Sequence, residues 1–502
     1  MFNLIVLFVD AKQNFVIYFL YEKKILFTTH FFFTLVSSLF CEETSIQNLS
    51  KFKLKNGLTL FVAENHAVPL VYIEIAFRTG GIHQTKETAG LFHLYEHMLF
   101  NGNDLYPDSA AVNDALQNFG LTSYNGTTST NRVNFFFEIP SKELENGLKF
   151  WNAAITSSKF DKNNLENEKK VVISEISGYN VQSTDMLYLA ISKLLYPEST
   201  WKDDVSGSIK NIQNATVEQL LEIKENFFIP NNAAIFIGGD VNPENAFELV
   251  NNIFAAWSNN GKDAPALEKA PKTAQYDKPQ FFVFPAAGIS KEYMQTTVVY
   301  SGPGYDYDKE GCIASDQVRN KFNSYGYYQL WKEKDLQIPN LTFIKTNSIT
   351  DRTNGRFQVT TTTVNPLENP AQRTKKIQEC IQEGITQSVT NQNLYNKNYY
   401  DYLKRYYEDD YLIRAEIASN LCSNLSSWWT TSTPDLFFTY PEEMCNLPFE
   451  EITALNEKYF SKNPIVISLV HPEVYEQKKD EFEKEGFKVI TMENAPWWSE
   501  IE

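Results

Sequence analysis

Apolar and polar positions along the chain divide residues 50–258 into strand-like and helix-like segments. Apolar runs rich in β-branched and aromatic residues predict strands, at residues 57–64, 68–80 and 132–140. Apolar residues at helical spacing predict helices, at residues 109–120, 141–157, 161–179 and 185–197. The intervening "SYNGTTST", residues 123–130, is rich in Gly, Ser and Thr and predicts a turn.

The later part of the chain repeats this order. The segment "VEQLLEIKENFFIPNNAAIFIGGDVNPE" from Val217 parallels "FEEITALNEKYFSKNPIVISLVHPEVYE" from Phe449, an offset of 232 residues. Residues 259–279 are rich in Ala, Lys and Pro without an apolar period, which predicts a linker. We therefore predict an α+β fold by duplication. Two similar domains, at residues 48–258 and 280–502, would each have a mainly antiparallel sheet covered by helices.

Amino-acid composition and charge exclude some classes of protein. Hydrophobic residues make up 43% of the 502 residues, which is typical of a folded globular protein. The formal net charge is -17, and no run of Lys and Arg occurs, so nucleic acid is not an expected partner.

The N-terminal residues 1–47 have the pattern of an export segment. Lys23 and Lys24 precede a short apolar run that ends at Cys41, and small residues lie near its end. We expect an exported protein, either periplasmic, secreted or membrane-anchored. Whether the segment is cleaved, lipidated at Cys41 or retained as a membrane attachment stays open.

The stretch "GLFHLYEHMLFNG", residues 90–102, places His93, Glu96 and His97 within five residues of an apolar run. On a helix, positions i and i+4 share a face, so both imidazoles can bind one ion, with Glu96 beside them. A catalytic zinc takes a third protein ligand and keeps one position for water. The alternative is a buried helix whose polar residues are satisfied within the core, although a buried unpaired carboxylate is costly.

The third ligand has several candidates. Only six His occur in the chain, and no other pair has helical spacing, so a carboxylate or a distant His would complete the site. The predicted helix at residues 161–179 carries Glu166, Glu168 and Glu175, and the last two are two helical turns apart.

Together, "GLFHLYEHMLFNG" and the downstream "EKKVVISE" resemble the pitrilysin/insulinase-like (M16) metallopeptidases, whose inverted zinc motif is HxxEH. The resemblance implies that His93, His97 and Glu175 bind Zn²⁺, that Glu96 is the general base and that Glu168 supports the site. It also implies that Asn125 contacts substrate, and that the fold is a clam-shell enclosing peptides or unfolded segments. One chain would supply half of that shell, completed by a second copy or an M16-like partner chain.

The predicted second domain provides a comparison within the chain. Adding 232 to the positions of His93, Glu96 and His97 gives Tyr325, Tyr328 and Gln329. None of these three residues has an imidazole or a carboxylate. In the family, an Arg and a Tyr seven residues later often assist the substrate. Lys332 and Pro339 stand at those positions here, and Lys does not replace a planar guanidinium. A nearby Tyr, 325, 327 or 328, is a candidate substitute.

The first hypothesis is therefore a zinc endopeptidase in which Glu96 activates a zinc-bound water, with substrate extended along an edge strand. The alternative is a non-catalytic or partner-dependent M16-like subunit or scaffold, motivated by Lys332 and Pro339. A third hypothesis is a binding protein in which residues 90–102 form only a core helix.

Overall fold

The computed structural model describes residues 8–9, 15–16, 49–121, 123–179, 182–199, 202, 205–266 and 272–496. Near the N-terminus, Phe8–Val9 pairs antiparallel with Phe15–Val16 as part of a separate compact unit. The apolar run and Cys41 of the predicted export segment lie outside the described residues. In the part of the chain that the structure describes, no helix has both the length and the apolar character needed to cross a bilayer.

Six strands of the first half form one sheet. They are β1 (Leu49–Lys53), β2 (Thr59–Glu64), β3 (Leu70–Phe77), β4 (Ser123–Thr128), β5 (Val133–Pro140) and β6 (Ala233–Gly239). The strand order is β1-β2-β6-β3-β5-β4, in which only β2 and β6 are parallel neighbours. The strand β4 therefore forms one edge of the sheet.

The strand β4 corrects the sequence analysis, which expected a turn at residues 123–130. Its Gly, Ser and Thr content is typical of turns, but pairing with β5 supplies a complete antiparallel ladder, from Ser123 opposite Glu138 to Thr128 opposite Val133. Strand propensity depends strongly on such tertiary context. The actual turn lies at residues 129–132, where the Ser129 amide donates to the Arg132 carbonyl oxygen at 2.7 Å.

The helices of the first half follow the predicted order. They are α1 (Leu91–Met98), α2 (Ser109–Asn118), α3 (Leu144–Thr156), α4 (Lys162–Tyr179), α5 (Ser183–Leu195), α6 (Ile209–Asn214), α7 (Val217–Phe227) and α8 (Pro243–Phe254). The helix α2 ends just before Gly120, whose φ of 69° is the left-handed conformation that glycine adopts easily.

The second half forms another six-stranded sheet with its own helices. Its strands are β7 (Gln280–Pro285), β8 (Tyr293–Gly302), β9 (Ile344–Thr350), β10 (Gly355–Val364), β11 (Ile465–Val470) and β12 (Lys488–Val489). Its helices are α9 (Lys309–Lys321), α10 (Tyr327–Lys332), α11 (Pro370–Thr390), α12 (Lys397–Glu416), α13 (Ala418–Thr431), α14 (Pro434–Asn446), α15 (Phe449–Leu455) and α16 (Pro472–Lys484).

The two sheets have the same topology, which agrees with the predicted duplication. Read from the matching edge, the second sheet runs β12-β7-β11-β8-β10-β9, and β7 and β11 form a parallel pair like β2 and β6. The outermost strands differ, because β1 comes from the start of the first half and β12 from the end of the second. The fold is thus α+β with two similar, mainly antiparallel sheets covered by helices.

The constant offset of 232 residues is wrong for the metal motif. It holds at α7 and α15 and at β6 and β11, but the helix that follows the second long strand is α1 in the first half and α9 in the second. Tyr325 instead lies in the π-helical turn Phe322–Gly326 after α9, and Tyr328 and Gln329 lie in α10. The register changes because later helices differ in length, as α11 has 21 residues and α3 has 13.

Each half supplies a helix that covers the sheet of the other half. The helix α13 packs on β6, β3 and β2, where Leu421, Leu425 and Trp429 join a buried cluster with residues of the first sheet. Conversely, Met186 and Ile191 of α5 pack in a cluster with the strands of the second sheet. Because burial of apolar surface is the main favourable term in folding, this exchange makes the two halves interdependent.

A buried carboxylate stabilises the contact of α13 with the first sheet. Glu74 is fully buried and accepts hydrogen bonds from Tyr72 at 2.9 Å, Asn134 at 2.7 Å and Ser426 at 2.5 Å. Burial raises the pKa of Glu74, whereas the nearby Arg132 and these hydrogen bonds act in the opposite direction. Ser426 belongs to the second half, so one carboxylate connects elements from both halves.

The hairpin turns of the two halves also meet. Asn131, between β4 and β5, donates its side-chain amide to Asp351, between β9 and β10. Asp351 also accepts from the Arg352 amide at 2.8 Å. Burial raises the pKa of Asp351 from 3.8 to about 7, against the opposing effects of the Arg352 backbone and charge.

This pKa shift predicts a pH-dependent stability. A carboxyl group with a raised folded-state pKa contributes stability in full below its unfolded pKa of 3.8, and loses it as the pH rises through about 7. Asp351→Asn, which cannot ionise, should flatten the decrease in unfolding free energy between pH 5 and pH 8. Urea titrations across this range measure the effect, with Asp306→Asn in the exposed neighbouring ion pair as the control. An unchanged pH profile in Asp351→Asn would contradict the assignment.

Candidate metal centre

The helix α1 forms the centre of the candidate site. It begins after Gly90, whose φ of 91° requires glycine, and whose amide donates to the Gln84 side chain. Its apolar residues are buried in the core of the first half, and these are Leu91, Phe92, Leu94, Tyr95 and Met98. His93 and His97, one turn apart, are instead partly exposed. The helix therefore fixes both imidazoles on rigid backbone.

Three predicted ligands converge at one point. The Nε2 atoms of His93 and His97 are 3.2 Å apart. Glu175 Oε2, from α4, lies 3.7 Å from His93 Nε2 and 3.5 Å from His97 Nε2. Among the residues that the structure describes, this is the one group of three His, Cys, Asp or Glu side chains with ligand atoms this close, all within 4.8 Å.

This triangle fits a zinc ion. Zinc–ligand bonds of about 2.0–2.2 Å in tetrahedral geometry separate neighbouring ligand atoms by about 3.3–3.6 Å, close to the three separations observed. Burial lowers the pKa of His93 to about 4, assisted by the charge of His97, so its imidazole is neutral at neutral pH and can act as a ligand. Two ring nitrogens that face each other at 3.2 Å also gain a shared partner when they bind one ion.

Glu96 lies on the same helix in a pocket closed by β4. Thr128 donates its hydroxyl to Glu96 Oε2 at 2.6 Å. A Cβ atom added to Gly126 would come within 2.9 Å of the Glu96 Cγ and Oε1 atoms, so glycine permits this close approach. Burial raises the pKa of Glu96, opposed by the Thr128 hydrogen bond. A carboxylate with a raised pKa can both accept and return a proton.

Sequence reasoning missed Thr128 and Gly126. The two residues share one face of β4, because side chains alternate along a strand. Once residues 123–128 are recognised as a strand, its period of two places both against Glu96 and directs Asn125 to the opposite face. Because the sequence predicted a turn at these residues, the strand period of two was not applied to them.

The helix α4 supplies the carboxylates around His97. Glu168 Oε2 lies 3.3 Å from His97 Nδ1, while Glu175, two turns later, faces the Nε2 atom. The hydrogen bond to His97 lowers the pKa of Glu168. Burial alone would lower the pKa of His97, but Glu168 and the nearby carboxylates raise it overall. Glu166 points elsewhere and pairs with Lys169 at 2.7 Å.

Asn101 is a further residue that the sequence analysis missed. Its side-chain amide donates to the His97 carbonyl oxygen at 3.2 Å, just after the helix ends. It also forms a side-chain hydrogen bond with Glu168 that contributes to the lowered pKa of that carboxyl. Asn101 thereby connects α1 and α4 beside the convergent ligands.

Asn125 lies on the exposed edge strand next to this pocket. Its side-chain oxygen accepts the Gly126 amide at 3.0 Å, and its side chain is exposed to solvent. The structure thus places Asn125 one residue from the glycine that contacts Glu96. Its predicted role in substrate binding remains a prediction.

The second half has no histidine in α9, the counterpart of α1. Lys332 is the last residue of α10, and Tyr328 on the same helix is 53% exposed. Tyr327 is half-buried.

The described cysteines form no disulfide, since all four are free thiols, and these are Cys312, Cys380, Cys422 and Cys445.

Comparison with known proteins agrees with the fold and identifies the family. Residues 60–205 match the model of the insulinase family, peptidase family M16, and residues 214–396 match that of the peptidase M16 inactive domain. A relative from Bacillus subtilis, the uncharacterized zinc protease YmxG, is 24% identical over 44% of this chain and 53% of its own length. The chain spans about half the length of this curated relative.

Solved structures share the architecture. A protease from Helicobacter pylori superimposes with a TM-score of 0.69 at 18% identity, covering 84% of this chain and 99% of that one. The first half of the periplasmic protease PqqL from Escherichia coli gives 0.69 at 15% identity, covering 89% and 98%. The two family models together match most of the chain. The chain therefore belongs to peptidase family M16, the insulinase family.

Proposed function

We propose that this protein is a zinc-dependent endopeptidase that hydrolyses peptides or unfolded segments. The observation that carries the proposal is the convergence of His93, His97 and Glu175 beside a buried Glu96. The zinc protease name of the Bacillus relative supports the same class. A metal site without catalysis would have no need of a carboxylate held at this position.

Each residue of the site has a separate role in the proposed reaction. Bound zinc would lower the pKa of a water molecule to about 7 and polarise a peptide carbonyl. Glu96 takes the proton from the attacking water and returns it to the leaving amine. Thr128 orients the Glu96 carboxylate through its 2.6 Å hydrogen bond. Glu168 fixes the orientation of the His97 ring through Nδ1, so that Nε2 faces the ion.

The edge strand β4 is the proposed docking line for substrate. An extended peptide can add to a free sheet edge through main-chain hydrogen bonds. Gly126 and Thr128 direct one face of β4 towards Glu96, so a peptide on this edge runs past the general base. Asn125, exposed on the same strand, would contact that peptide.

Similarity to one half of PqqL leads to a proposal for assembly and location. The chain aligns with one half of PqqL, which is described as periplasmic. We infer that a second copy or an M16-like partner chain completes a clam-shell around the substrate. The N-terminal pattern and the periplasmic neighbour support export, and retention of that segment would attach the protein to a membrane.

The test combines metal content with cleavage. Purified protein that starts near Glu42 should bind one zinc per chain and cleave a quenched-fluorescence peptide library. A chelator should abolish cleavage, and added zinc should restore it. Cleavage that persists without metal would contradict the proposal.

Lys332 and Pro339 support a second candidate function, that of a non-catalytic subunit or scaffold. These residues replace the Arg and Tyr that often assist the substrate in the family. Protein that binds one zinc per chain but cleaves no library peptide, alone or as a dimer, would support this alternative. The intact Glu96 pocket favours catalysis, because a scaffold has no use for a general base.

The contact of Glu168 with His97 gives a graded prediction. Glu168→Gln should weaken zinc affinity about 10–100-fold, the usual effect of removing an outer carboxylate that orients a ligand. Competition with a metal-binding dye measures the affinity. Glu166→Gln is the matched control, because Glu166 lies on the same helix and pairs with Lys169 instead. Equal affinities in both variants would remove Glu168 from the proposed site.

A further inference from the structure

The second half contains a cavity of about 460 Å³ that the proposed mechanism does not use. Its walls come from α9, α12, α13 and α14, together with the loop after β8 and the end of β9. Ligand pockets in proteins commonly measure about 300–1,000 Å³, so the cavity is large enough for a side chain and adjoining backbone.

The cavity lies at the topological counterpart of the metal centre. In the first half, α1 follows the second long strand and packs directly on α4. In the second half, α9 and α12 hold the same positions in the element order, and both line the cavity. The second half therefore has a concave site at this position, where α9 carries no histidine.

The charged groups inside this cavity neutralise one another. Asp316 accepts a hydrogen bond from the Tyr440 hydroxyl, and its Oδ1 lies 3.6 Å from Arg319 Nη1. Towards the opening, Arg414 pairs with Asp410 at 2.7 Å. These two carboxylates and two guanidinium groups give the cavity no net charge. The cavity as a whole therefore attracts neither a cation nor an anion by its charge.

Aromatic rings form much of the remaining wall. The Trp428 ring lies 5.4 Å from Tyr440 and 5.7 Å from Tyr305, and Tyr407 lies 5.6 Å from Tyr440. At the rim, Tyr406 is 52% exposed and presents its ring to an incoming group. Edge-to-face and offset ring contacts are favourable, so such a wall selects another aromatic ring.

We propose that this cavity binds an aromatic side chain of a peptide substrate, at a distance from the metal centre. The inference rests on the proposed peptidase function and adds a substrate preference to it. Neutral pairs such as Asp316 and Arg319 can hydrogen-bond a Tyr hydroxyl or a Trp ring nitrogen, while the rings pack around the aromatic group. Peptides that carry Phe, Tyr or Trp at a fixed spacing from the scissile bond would bind more tightly than their Ala counterparts.

The test measures binding without cleavage. In zinc-loaded Glu96→Gln protein, titration calorimetry compares a set of extended peptides, each with one Tyr at a scanned position, against all-Ala versions. At one position, Tyr should strengthen binding about 5–10-fold. Tyr406→Ala should abolish that gain, whereas Ile413→Ala, at an exposed residue on the same helix outside the cavity lining, should keep it.

A second variant fills the site without altering the core. Ser427 is exposed and lines the cavity, so Ser427→Phe should block ligand entry in a folded protein. If the Tyr gain persists in both Tyr406→Ala and Ser427→Phe, or if no scanned position shows a gain, the proposal is wrong. A parallel set of peptides carries Lys in place of Tyr, and a gain with Lys but not with Tyr would show a cation site and overturn the proposal as well. If Glu96→Gln shows the Tyr gain but the unmodified zinc-loaded protein cleaves no peptide, the result would uphold this site and refute only the peptidase function.

Discussion

Glu96→Gln is expected to reduce kcat/KM for peptide cleavage by about 10²–10⁴-fold, the usual contribution of a general acid–base group. Gln has nearly the same shape as Glu and can still accept the Thr128 hydroxyl, but it cannot take a proton from water. Zinc content should stay at that of the unmodified protein, because Glu96 is not among the three convergent ligands. Steady-state cleavage and metal analysis of the same preparation measure both quantities.

The control for Glu96→Gln is Glu87→Gln. Glu87 is exposed and accepts a hydrogen bond from Thr85 at 2.8 Å, on the segment before α1. This variant should retain full activity. If Glu96→Gln cleaves as well as Glu87→Gln, Glu96 is not the base.

His97→Ala has the second large expected effect, on the metal itself. It removes one vertex of the triangle, and the remaining pair, His93 and Glu175, has too few ligands for tight zinc binding. Zinc affinity should fall by more than about 100-fold, beyond the loss expected for an outer-sphere residue. Cleavage should be lost at the same zinc concentration.

His66→Ala is the matched control for His97→Ala. His66 lies in the same half but is exposed, where it pairs with Asp240 at 2.6 Å and Glu64 at 2.9 Å. This variant should bind zinc with unchanged affinity. A loss of zinc in both variants would point to general unfolding, which circular dichroism distinguishes, and retention in both would exclude the proposed site.

These two variants separate the roles of neighbouring residues on one helix. Glu96→Gln tests proton transfer with the metal present, and His97→Ala tests the metal itself. A non-catalytic scaffold predicts that His97→Ala loses zinc while Glu96→Gln changes nothing, because there is no cleavage to lose. The pair therefore also distinguishes the two functions under consideration.

The amino-acid sequence determined the parts of the site that depend on local spacing. His93, Glu96 and His97 lie within a little more than one helical turn, and the 3.6-residue period alone places them together. The seven-residue separation of Glu168 and Glu175 likewise places both on one face of α4. Strong apolar periodicity also predicted most strands and helices of the first half.

Tertiary structure decided the features that depend on partners distant in sequence. Residues 123–128 form a strand because they pair with β5. This pairing brings Thr128 and Gly126 against Glu96. Likewise, α5 and α13 each cover the sheet of the opposite half, which no local pattern encodes. The spacing brought His93 and His97 together because one helix fixes them within a few residues, whereas Glu175 joins them only where α4 packs on α1. The surroundings of Glu96 and the cavity at Asp316 required the tertiary fold, because their walls come from strands and helices that are distant in sequence and meet only when each half folds.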